Sequence, residues 1–145
     1  MLSQADLPPG YVLVVSTATH MAIEDAATDE LFVNASVLPN GVVKFNIQAV
    51  HPDDGTRRTV HGRVLFDLMM RHFGAGVNGV RGFWMDGTNF EQFNRGIAAG
   101  LTVEAAAAAT WTGEQAARFG FTRVDRGQLL GWSGGYGLVE VFFLR

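Results

Sequence analysis

Cysteine is absent from all 145 residues, which excludes a disulfide scaffold, a zinc ribbon and a thiol nucleophile together. Lysine is nearly absent: Lys44 stands alone beside ten arginines. The four histidines, His20, His51, His61 and His72, form neither a His-x-x-x-His pair nor an HExxH motif, so no metal centre is expected. No stretch approaches the ~20 apolar residues of a membrane span. The opening MLSQADLPPGYVLVV lacks the basic start of a signal peptide. A soluble protein with no membrane partner is therefore expected. Gly-x-Ser-x-Gly, the Walker loop and Gly-x-Gly-x-x-Gly are also missing.

What remains is a chain that folds. Its residues are 48% hydrophobic and only 17% charged, a balance that can bury a core, and its length fits one domain, residues 1–145. The net charge of −3 argues against general nucleic-acid binding, which needs a concentrated basic face. Charge is nonetheless uneven. Residues 1–55 carry seven acids against Lys44, and residues 56–145 carry ten arginines against seven acids.

Strands are expected at 11–18, 31–38, 42–50, 77–85, 121–126 and 136–144. Val43, Phe45, Ile47 and Ala49 alternate with Lys44, Asn46 and Gln48, the period of a half-buried strand. Pro39-Asn40-Gly41 before them is turn chemistry, so a hairpin joins 31–38 to 42–50. THMAIEDAATDE (19–30) breaks the strand pattern, and GQLLGWSGG (127–135) reads as a loop. Only Glu140 is polar between Tyr136 and Leu144, which suits a strand buried on both faces.

Helices follow a period of 3.6. In RVLFDLMMRHF the residues Val64, Leu65, Leu68, Met69 and Phe73 share an apolar face opposite Arg63, Asp67 and Arg71. His72 at its end fits a cation at the carbonyl terminus. Thr88-Asn89-Phe90-Glu91 and Thr112-Gly113-Glu114-Gln115 have capping-box spacing, and Thr102 opens an alanine-rich helix. The fold class is α/β: a mixed, mostly antiparallel sheet with helices packed on it.

Chemistry has few places to sit. His20 and His61 are the acid/base candidates, and His51 before Pro52 reads as a loop residue. Arg57-Arg58-Thr59-Val60-His61-Gly62-Arg63 leads directly into a helix, where backbone N–H groups and guanidinium groups can hold a phosphate or carboxylate. The same segment also reads as a solvated loop balancing Asp53 and Asp54. Asp86-Gly87 ends a strand, where α/β sheets place ligand contacts, and also reads as a plain helix-leading turn. Trp84, Trp111 and Trp132 suit a core better than a pocket. The site expected is where loop 57–63 meets the end of strand 77–85. Arg58, Gly62 and Arg63 would bind the anionic cofactor, and His61 and Asp86 would be catalytic, His61 exchanging a proton and Asp86 orienting the other reactant.

Two resemblances add to this. GFWMDGTNFEQFNRGIAAGLTVEAAAAATWTGEQAARFGFTRV, about a third of the chain, resembles the C-terminal domains of bacterial polymorphic toxins of the Rhs and contact-dependent kinds. The resemblance implies a toxin or effector domain, delivered as part of a larger secreted protein, acting in the cytoplasm and accompanied by an immunity partner. The second lies in the order of a hairpin, an arginine-rich loop opening a helix, a strand, a helix and two strands, with AARFGFTRV (116–124) ending a helix in Gly-Phe. It resembles the GNAT N-acetyltransferase superfamily and implies acyl-CoA as cofactor and N-acyl transfer as activity. The family's pyrophosphate loop has Arg or Gln, then Gly three and Gly or Ala five residues on. From Arg58 those positions hold His61 and Arg63, and from Arg57 they hold Val60 and Gly62. A non-enzymatic module that binds a protein through the arginine-bearing half is the alternative.

Overall fold

The hairpin anticipated around Pro39-Asn40-Gly41 is the last hairpin of a four-stranded antiparallel meander. The computed structural model describes residues 1–48, 62–132 and 134–145, and the chain falls into two units, Met1–Val77 and Asn78–Arg145. The first unit holds β1 (Tyr11–Ser16), β2 (His20–Asp25), β3 (Leu31–Val37) and β4 (Val42–Ile47), in that spatial order. Asn40 Oδ1 accepts from Val42 N–H at 3.1 Å and Gly41 takes φ +82°, so both residues act as the turn demands. Val43 lies opposite Val37, Phe45 opposite Ala35 and Ile47 opposite Val33. Lys44 and Asn46 between them are exposed.

Strand β2 overturns the reading of 19–30 as a break. Met21 and Ile23 are fully buried and lie opposite Ala35 and Val33 of β3. Three apolar residues between His20 and Glu24 are too few to show a period, yet two flanking strands supply every backbone partner they need. On this sheet packs α1 (Gly62–Phe73), with Phe66 edge-on to Phe45 at 5.6 Å between ring centroids. Its buried face is Leu65, Phe66, Leu68, Met69, Met70 and His72, while Val64 is 39% exposed. The stripe is thus turned from the one expected, because Phe66 and Met70 fill the space over β3 and β4.

In the second unit the last strand of the chain lies in the middle. β7 (Gly135–Leu144) pairs antiparallel with β5 (Gly79–Trp84) on one side and β6 (Arg123–Trp132) on the other. Strand β6 therefore includes 127–132, expected as loop; register shifts at Arg126/Leu129 and Leu130/Gly131 accommodate the irregularity without ending the strand. Val139, Val141 and Phe143 are buried, while Glu140 and Phe142 between them are only half-buried, so β7 is covered fully on one face. Helices α2 (Gly87–Ala98) and α4 (Trp111–Arg118) pack on β5 and β7, and α3 (Val103–Ala108) on β6.

Phe93 of α2 anchors this core. It is fully buried between Trp84 (6.3 Å between centroids) and Tyr136 (5.7 Å), a burial that stabilises by about 2 kcal/mol. Trp84 in turn lies across Gly82: a Cβ there would stand 2.5 Å from the indole Cζ2. The glycine is what lets the ring lie flat on the strand. Across the described residues, seven strands with antiparallel pairing within each unit and four α-helices make a mixed α/β fold.

Candidate functional site

Of the residues singled out for chemistry, Arg58 and His61 lie outside the described residues, with the rest of 57–61. Gly62 is the first residue of α1 and Arg63, exposed, the second. No acidic residue occupies the first turn of α1, whereas Glu104 and Glu114 stand in the first turns of α3 and α4. A guanidinium at the positive end of a helix dipole is locally unfavourable, and a bound anion would relieve it. Asp86 belongs to the other unit, at the turn from β5 into α2.

Asp86 also corrects the helix start. It is the N-cap residue of α2, in extended backbone (φ −159°, ψ 179°), and its carboxylate makes no capping hydrogen bond. Gly87 follows at φ +85°, a left-handed turn that points the exposed Asp86 out of the strand end. Thr88 and Glu91 therefore fall inside the helix and form no capping box. The same two-residue offset appears at α4, whose N-cap is Thr110 and not Thr112. Only Thr102, capping α3 through Ala105 N–H at 3.2 Å, stands where expected.

The N-terminus of α4 is closed to ligands. Gln92 Oε1 accepts from Trp111 N–H at 2.7 Å, Asn89 Oδ1 from Thr112 N–H at 2.9 Å and Thr110 Oγ1 from Gly113 N–H at 3.0 Å. All three leading N–H groups are bound by side chains, two of them from α2. Thr112 Oγ1 is buried with no hydrogen-bond partner among the described residues. The α2 face is further fixed by Asn94, whose amide donates to Tyr136 O at 3.0 Å and accepts from Tyr136 N–H at 2.8 Å. It replaces a neighbouring strand where β7 runs beyond β5.

The histidines separate clearly. His72, at the end of α1, is 3% exposed and has a structural role. Its Nδ1 accepts from Leu2 N–H at 3.2 Å and its Nε2 donates to Thr17 O at 2.6 Å. Both bonds are met by one tautomer, and the ring joins the chain start and the β1–β2 turn to α1. His20 is half-buried at the start of β2, with Nε2 2.6 Å from Asn34 Oδ1. An amide oxygen accepts, so Nε2 is the donor in that bond.

One pair was missed from sequence. Arg81 and Glu140, 25% and 16% exposed, meet at 2.6 Å on the sheet face away from the helices, and Arg81 lies 4.5 Å from the centre of the Phe83 ring. Glu140 Oε1 also accepts from Gln128 N–H at 3.2 Å. The signal was the lone charge in each of two apolar strands. Among the described residues no cluster of three or more His, Asp or Glu side chains could hold a metal ion. No family model, curated protein or solved structure matches the chain.

Proposed function

We propose that the chain is a toxin or effector-type enzymatic domain that transfers an acyl group from acyl-CoA to an amine, in the manner of the GNAT N-acetyltransferases it resembles. The observation that supports this most is the order of elements. The β3–β4 hairpin is followed by α1 with Gly62-Arg63 at its start, then β5, helices, and the two strands β6 and β7. Arg58, Gly62, Arg63 and the first N–H groups of α1 would hold the pyrophosphate of acyl-CoA. The amine nitrogen attacks the thioester carbonyl carbon, a C–N bond forms, the C–S bond breaks and the thiolate leaves, while His61 takes the proton released by the amine and passes it to the thiolate sulfur. Asp86 is tested on its own, as Asp86→Asn.

The alternative, docking of a protein on the arginine-bearing half, has less behind it. Arg81, Arg123 and Arg126 are already in ion pairs, and Arg145 stacks 4.6 Å from the centre of the Phe121 ring. Expression in a bacterial host separates the readings. The enzyme reading expects growth arrest that His61→Ala or the double change Arg58→Ala/Arg63→Ala relieves. Growth unaffected by the parent chain, with no acyl transfer to any amine offered in vitro, would set the proposal aside.

A further inference from the structure

Strand β1 ends its sheet, with β2 on one side and no strand on the other among the described residues. Such an edge presents unpaired N–H and C=O groups that invite another strand. Here one side chain occupies them. Gln4 Nε2 donates to Tyr11 O at 2.6 Å, and Gln4 Oε1 accepts from Leu13 N–H at 2.8 Å. A carboxamide bridging the C=O and N–H of residues two apart on a strand supplies the donor and acceptor that a neighbouring strand would otherwise supply. Asn94 likewise bonds strand backbone through its carboxamide, there the N–H and C=O of the single residue Tyr136.

The guard is held in place from several directions. Gln4 opens a 3-10 turn, Gln4–Asp6, that Ser3 and Asp6 close: Asp6 Oδ2 accepts from Ser3 N–H at 2.8 Å and from Ser3 Oγ at 3.1 Å. Arg71 of α1 binds the other Asp6 oxygen at 2.9 Å. Leu2 is 4% exposed, its N–H donates to His72 and its carbonyl accepts from Ser16 Oγ at 2.9 Å. The strand beneath looks made for pairing, since Val12 and Val14 are 37% and 43% exposed and the strand has no lysine or proline to repel a neighbour.

We propose that Gln4 is an edge guard, and that displacing it opens β1 to antiparallel pairing with β1 of a second copy of this chain. A second copy is the occupant that fits, because two identical edges related by a two-fold axis offer each other the same groups, Tyr11 O and Leu13 N–H, and the same exposed valines.

The test compares the full chain with Gln4→Ala, by sedimentation over a range of concentrations and by hydrogen exchange at the Leu13 amide. The parent sediments as a monomer. Gln4→Ala dimerises as concentration rises, its Leu13 amide exchanges roughly fivefold faster when dilute, the effect of one lost hydrogen bond, and a further Val14→Lys restores the monomer. Should Gln4→Ala fail to fold, Gln4→Met replaces it, since that change keeps the side-chain length and removes both the donor to Tyr11 and the acceptor for Leu13. A parent already dimeric through β1 overturns the proposal. So does a folded Gln4 variant that stays monomeric at every concentration, or one whose dimer survives Val14→Lys.

Discussion

Gly113→Ala should destabilise the chain, although helix propensity says the opposite. Gly113 lies in the first turn of α4, and in an ordinary helix alanine is preferred over glycine by roughly 1 kcal/mol. Here a Cβ would press into Ala107 O and would stand 2.7 Å from Ala108 O, both backbone atoms at the end of α3. Neither can rotate away, so α4 must retreat from α3. Retreat strains the bridge made by Thr110, whose Oγ1 donates to Ala107 O at 2.7 Å and accepts from Gly113 N–H at 3.0 Å. Overpacking of this kind costs about 1–3 kcal/mol, and each weakened hydrogen bond about 1 kcal/mol. Set against the propensity gain, the net loss is about 2 kcal/mol, or roughly 6 °C in melting temperature for a chain of this size. Urea unfolding followed by circular dichroism reads it directly. Ala105→Gly, at an exposed position of α3, is the control and should lose about 1 kcal/mol from propensity alone. If Gly113→Ala proves as stable as the parent, or more so, the close approach of α3 and α4 is wrong.

Three further outcomes are expected. His72→Phe keeps the ring volume but leaves Leu2 N–H and Thr17 O unpaired, and should lower stability by about 2–4 kcal/mol in urea melts. Glu91→Ala, at an exposed helix position outside any capping box, should change stability by less than about 0.5 kcal/mol. Asp6 and Glu104 are held below the ordinary carboxylate range, Asp6 first by its hydrogen bond from Ser3 N–H and Glu104 first by its bond from Arg126. Because both values are depressed in the fold, their contribution is complete above the unfolded values near pH 4 and is lost as pH falls through the folded ones. Melting temperature should therefore drop on acidification below about pH 4, and Glu104→Gln should flatten that slope; an unchanged slope would count against the Glu104–Arg126 pair.

Legibility in the sequence followed the strength of local signals. The β3–β4 hairpin was readable because Val43, Phe45 and Ile47 alternate with polar residues behind a Pro-Asn-Gly turn. Strand β2 was not, since Met21-Ala22-Ile23 owes its conformation to two neighbours and not to its own period. At α2 and α4 the threonine–glutamate spacing fitted a frame two residues too late. The true caps work otherwise: Asp86 by backbone alone, and Thr110 by binding Gly113 N–H without a glutamate. The orientation of α1 was misjudged at Val64, because only packing over Phe45 decides that Phe66 turns inward. Of the candidate site, Gly62, Arg63 and Asp86 are placed, at the start of α1 and at the turn into α2. The bonds of His72 join residues too far apart in sequence for any local pattern to register, and those of Gln4 cross from the 3-10 turn to the edge of β1, outside the period of any one element.

In the proposed function Arg58, Gly62 and Arg63 hold acyl-CoA at the start of α1. Isothermal titration of the full chain with acetyl-CoA tests it most directly, alongside the same titration of Arg58→Ala/Arg63→Ala checked for an unchanged circular dichroism spectrum. The parent should show saturable one-site binding, weakened at least tenfold in the folded double variant and also weakened by raised salt. No heat of binding from the parent at millimolar acetyl-CoA, or equal affinity in parent and double variant, would contradict it.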